Sequence, residues 1–165
     1  MIGGVGKQVS IRTFSCVVGL AAAWASPAAS QAVLPLASFS VVVTAGVATI
    51  PAPLTSKPGD PKEGSKVVAE RRLGNCLSCH EIEALRDQEF HGDVGPSLDG
   101  VGGRWDTGTL RMIVVNAKNM FGEETVMPAF YRVDGLNRVR PEFLGKPILT
   151  AQQVEDVVAF LATLK

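Results

Sequence analysis

The chain has 165 residues, 46% of them hydrophobic, which is enough for one core and too few for two comfortable ones. Its 16 Lys+Arg and 16 Asp+Glu cancel at neutral pH, so no bulk field selects nucleic acid or an anionic membrane surface as a partner. Three cysteines and two histidines leave few side chains for metal or thiol chemistry.

In chain order, Lys7 and Arg12 precede an apolar run, "FSCVVGLAAAW", that ends in small residues, "ASPAAS". Basic, then apolar, then small is the order of a secretory signal, and it predicts a signal peptide over residues 1–30. A membrane-spanning helix needs about 20 apolar residues, and this run stops at about a dozen before Pro27. Cleavage is expected near Ala29 or Ser30, with an alternative after Ala37, and it removes Cys16. The apolar stretch "SFSVVVTAGVATI", residues 38–50, offers the competing reading of an extended anchor. Pro35 separates the two stretches, and the β-branched run with Gly46 reads as an extended arm over residues 31–58.

A helical domain is expected over residues 59–165. Asp60 is placed to cap a first helix, with Pro61 at its first position and Glu63 in its first turn. Val67, Val68 and Arg71 to Leu73 continue that helix toward "NCLSCH".

The two remaining cysteines lie three apart, and His80 follows at once. An exported two-cysteine protein ordinarily invites a disulfide, but CxxCH is the c-type haem attachment pattern. Cys76 and Cys79 each add to a vinyl group, and His80 is then directed at the iron. A redox pair would need βαβ flanks, and a structural zinc site two further Cys or His ligands, for which only His80 and His91 exist. For the other face of the iron, Met112 lies in a helical run and reads as core filler. Met127 is the preferred ligand, because Pro128 biases it away from helix. Met120 and a free sixth position remain as alternatives.

After His80 comes a short helical piece, "EIEALRD", and a glycine-rich loop, "HGDVGPSLDGVGGRW". A carbonyl near Pro96 is placed to accept the Nδ1 proton of His80. Arg104 and Trp105 carry donors that suit haem propionates, with a solvated Arg and a core Trp as the competing reading. His91, among polar neighbours, reads as an exposed loop histidine. A helix in "TGTLRMIVVNAKNM" turns Leu110, Ile113, Val114 and Ala117 inward. The last helix has Thr150 and Gln153 at capping-box spacing and Val154, Val157, Val158 and Leu161 at helical period, and it crosses the first.

The ordered set "GDPKEGSKVV", "GNCLSCH", "GPSLDGVGGRW" and "VMPAFYRVDGLNRVRPEFLGKPILTAQQVEDVVAFLATL" resembles the class I cytochromes c. Within them it is similar to the SoxX family, the monohaem subunits of SoxAX thiosulfate-oxidising complexes. The resemblance implies an all-α, class I cytochrome c fold, about four helices around one covalently bound haem c, preceded by an extended arm that docks on a partner. It implies a periplasmic chain paired with the diheme SoxA cytochrome, accepting electrons when thiosulfate is joined to a cysteine of the SoxYZ carrier. The bond-forming site then lies on SoxA. Cys76, Cys79, His80 and Met127 match the family pattern at the haem. A freestanding periplasmic electron carrier is the alternative, and a ligand-binding haem protein with an open sixth position is the third.

Overall fold

Asp60 and Thr150 begin the two helices that frame the domain, and both do so through their side chains. In a computed structural model that describes residues 1, 3, 4 and 36–165, the Asp60 carboxylate accepts from Lys62 N at 2.8 Å and starts α1, Pro61–Ala69. Thr150 and Gln153 form the reciprocal capping box that starts α5, Ala151–Leu161. The signal except residues 1, 3 and 4, Cys16, the cleavage positions at Ala29 and Ser30, and the first residues of the arm lie outside the described residues.

α1 lies against α5 at backbone distance. A Cβ on Gly64 would stand 2.0 Å from the Asp156 carbonyl oxygen, and one on Gly59 would stand 2.1 Å from that of Glu155. The Asp156 carboxylate accepts from Asp60 N at 2.9 Å, which fixes the start of α1 on α5. Val67 and Val68 from α1 share one buried cluster with Val154, Val157, Val158 and Leu161 from α5. The expected crossing of first and last helices is therefore present.

Between them run α2, Val101–Arg104, α3, Thr107–Asn116, and α4, Lys118–Phe121. The described residues thus hold five α-helices, two of them a single turn long, where about four were expected. Three short 3₁₀ turns, Cys76–Ser78, Glu83–Leu85 and Pro141–Phe143, complete the helical content.

Three local expectations are corrected. α1 stops at Ala69 instead of continuing through Leu73, because the Gly74 N–H bonds the Val67 carbonyl at 3.1 Å and Asn75 turns left-handed at φ 48°. The piece "EIEALRD" shrinks to the turn Glu83–Leu85. On α3, Leu110, Val114 and Ala117 are buried as expected, but Ile113 is half-buried and Arg111 is inside.

Arg111 is inside because it has partners on both sides. Its Nε and Nη2 donate to the two carboxylate oxygens of Glu155 at 2.8 and 3.0 Å, and its Nη1 donates to the Ile50 carbonyl at 2.7 Å. The same carboxylate accepts from Leu54 N at 2.8 Å. Both side chains are about 5% exposed, so neither charge is left without a partner in the interior.

That pair seats the arm. Its hairpin pairs β1, Val42–Thr44, antiparallel with β2, Val47–Thr49, through Ala45 and Gly46, both at positive φ as a type I′ turn requires. Ile50 is fully buried and its N–H bonds the Gly108 carbonyl, so the end of the arm belongs to the core.

Gly64→Ala tests the crossing. At an exposed helical position the change stabilises by about 1 kcal/mol, whereas here the added methyl meets a carbonyl and costs about 2 kcal/mol net. A lower midpoint of denaturant unfolding, with helix content retained, is the expected result.

Candidate haem site

Cys76 opens the 3₁₀ turn of the motif, and the N–H groups of Cys79 and His80 both bond its carbonyl, at 3.1 and 2.9 Å. One tight turn therefore carries both thiols and the imidazole. The two thiols are free, not joined as a disulfide. Burial pushes the Cys76 thiol up to about 12, so it stays protonated at neutral pH.

His80 is held from the glycine-rich loop. Its Nδ1 bonds the Pro96 carbonyl at 2.6 Å, which puts the proton on Nδ1 and leaves Nε2 as the basic nitrogen. Gly95 sits directly against the ring, since a Cβ there would stand 2.3 Å from Cε1 and 2.8 Å from Nε2. The loop is pinned to the motif segment by Gly95 N to the Cys79 carbonyl at 2.7 Å and Leu98 N to the Glu81 carbonyl at 3.0 Å.

Arg104 donates to the carbonyls of Asp99 at 2.7 Å and Ser97 at 3.3 Å, so its guanidinium closes the loop beside Pro96. Trp105 is half-buried and packs on the core cluster. Met112 is fully buried, in agreement with its reading as core filler. Met127 and Met120 are both half-buried against the same cluster. Met127 precedes a segment anchored to α3 by Phe130 N and Tyr131 N, which bond the carbonyls of Val114 and Val115 at 3.2 Å each. The structure thus brings Cys76, Cys79, His80, Pro96 and Arg104 to one loop cluster and holds Met127 on a separate strap.

His91 is corrected. It is half-buried, and its ring bonds Ile82 N at 3.3 Å and the Leu85 carbonyl at 3.2 Å. Polar neighbours in sequence gave no sign of these backbone partners. Gly95 carried a signal, since a glycine beside proline after CxxCH offers the close approach that a flat ring needs.

The profile of the family described as Cytochrome c matches residues 61–165. The chain belongs to the cytochrome c family. A chain in the crystal structure of SoxXA from P. pantotrophus is 52% identical to this cytochrome, with a TM-score of 0.68, over 76% of this chain and 94% of that one. No curated protein matches. As a cytochrome c the chain carries covalently bound haem c. The site fits that group: free thiols three apart, an imidazole with its Nδ1 proton engaged, and a glycine where a side chain would press on the ring.

Gly95→Ala displaces the His80 ring. Its ferric spectrum should gain high-spin character relative to the native protein, and an unchanged spectrum would mean that this contact does not set the ligand.

Proposed function

We propose that this cytochrome is the monohaem, electron-accepting subunit of a SoxAX-type complex, which conjugates thiosulfate to a cysteine of the SoxYZ carrier. The observation that carries this reading is the 52% identity across 94% of a SoxXA chain. The residues agree with a division of labour. Joining a carrier thiolate to thiosulfate forms one S–S bond and releases two electrons, and the thiol chemistry belongs to the diheme SoxA partner. This chain has no thiol for it: Cys76 and Cys79 belong to the attachment motif, and Cys16 lies in the signal. In the complex the chain is the electron-transfer subunit of an L-cysteine S-thiosulfotransferase.

Cys76 and Cys79 would hold the haem by thioether bonds, and His80 and Met127 would bind its iron. When bound, the haem supplies a one-electron Fe(III)/Fe(II) couple. Pro96 holds the proton on His80 Nδ1 and strengthens Nε2 as a ligand. Gly95 and Gly92 let the loop close on the motif without a side chain between. Arg104 holds the carbonyls of Ser97 and Asp99 and so steadies the loop just after Pro96. As a ligand of the iron, the Met127 thioether would favour the reduced state and keep outside ligands away. Trp105 and Arg104 also carry donors suited to the propionates.

The surface supports a subunit over a freestanding shuttle. Val94, 66% exposed, precedes Gly95, and Val126, 79% exposed, precedes Met127. Val41, Val42 and Val43 are exposed on the hairpin, which is itself fixed to the core at Ile50. Apolar side chains at these places fit a stable docked partner, and an arm held in place fits docking on SoxA. The signal-like order of residues 1–30 supports delivery to the periplasm, and among the described residues no helix is long and apolar enough to cross a membrane.

Mixed with a diheme SoxA partner, the holo-chain should elute as one complex, and failure to associate would count against the proposal. Met127→Ala should keep covalent haem and admit carbon monoxide to the reduced iron. Unaltered absorbance without carbon monoxide binding would assign the sixth ligand elsewhere, with Met120 next in line.

A further inference from the structure

We infer that His91 is a positioning residue for the axial imidazole, acting through the two chain segments on either side of His80. The inference rests on the reading of His80 as an iron ligand.

His91 and Gly92 grip the motif from both directions. On the amino-terminal side of His80, Gly92 N donates to the Leu77 carbonyl at 2.8 Å, within the 3₁₀ turn of the motif. A Cβ on Gly92 would stand 2.2 Å from the Ser78 carbonyl oxygen, so the two backbones are in contact there. On the carboxyl-terminal side, the His91 ring accepts from Ile82 N through Nδ1 at 3.3 Å and donates from Nε2 to the Leu85 carbonyl at 3.2 Å. Ile82 is fully buried, so its N–H has no water to fall back on. The two bonds specify one tautomer, neutral with the proton on Nε2. Between these grips the chain carries Cys79, His80 and Glu81, whose carbonyls at 79 and 81 receive Gly95 N and Leu98 N. Pro96, which holds the His80 Nδ1 proton, lies between those two donors. His91 therefore fixes the segment against which the Pro96 loop is registered. Loss of its ring frees Ile82 and lets that register relax.

The tests use the holo-protein. In the native protein, ¹⁵N shifts of His91 should show Nε2 protonated and Nδ1 bare. A proton on Nδ1 would overturn the inference without any variant. In His91→Leu, which keeps bulk and loses both bonds, exchange of the His80 Nδ1 proton should quicken about tenfold, with altered hyperfine shifts of the imidazole. His91→Gln, which restores an acceptor and a donor, should recover most of the native exchange rate. A Leu variant that loses stability but keeps native exchange and native hyperfine shifts would make His91 a stabilising residue only. The underlying reading is checked separately, because a native protein with no hyperfine-shifted His80 resonances would fail the ligand assignment itself.

Discussion

The domain depends on one line of contact, where two glycines let the chain at the start of α1 approach the backbone of α5 directly. Gly59 and Gly64 bring the backbone of α1 onto the carbonyls of Glu155 and Asp156, and the Asp156 carboxylate takes the N–H of Asp60. Close approach turns two short amphipathic helices into one rigid frame, because dispersion and burial act over the full length of the crossing. The end of α1 is then fixed in space, and the turn from Gly74 to Cys76 inherits its position. The haem motif is thus placed by packing some ten residues before it begins.

The second element of the frame is electrostatic. Arg111 and Glu155 carry opposite charges into the interior, and each oxygen and nitrogen that matters finds a partner. Burying the pair costs desolvation that a hydrophobic pair would avoid, but it commits the arm to one register by taking the carbonyl of Ile50 and the N–H of Leu54. An arm seated in this way presents its valine-rich hairpin in a defined place, which is what a subunit needs and a shuttle does not. Around His80 the same logic recurs on a smaller scale. Backbone bonds to Cys79 and Glu81, the Pro96 carbonyl and the His91 ring all act on the few residues that carry the imidazole.

How much of this could be read from the sequence follows from the range of each interaction. The caps at Asp60 and Thr150 were legible, because cap and partner lie within three residues. The haem motif was legible for the same reason, since six consecutive residues hold both thiols and the imidazole. The early end of α1 was not, because it is set by the return of Gly74 to Val67 and the left-handed Asn75. Arg111 stood in an apolar run with nothing nearby to neutralise it; its partner is 44 residues away. His91 looked solvated because its sequence neighbours are polar, while its actual partners are two backbone groups of a turn that sequence reading had taken for helix. The arm read as extended, and only pairing across Ala45 and Gly46 makes it a hairpin.

The most direct test of the account is thiosulfate-dependent reduction of this haem, followed by absorbance with the SoxYZ carrier present and the diheme SoxA partner added or withheld. The account predicts reduction when the partner is present and none when it is absent. Reduction without the partner would place thiosulfate chemistry on this chain, and no reduction with a competent partner and intact haem would contradict its role as the electron-accepting subunit.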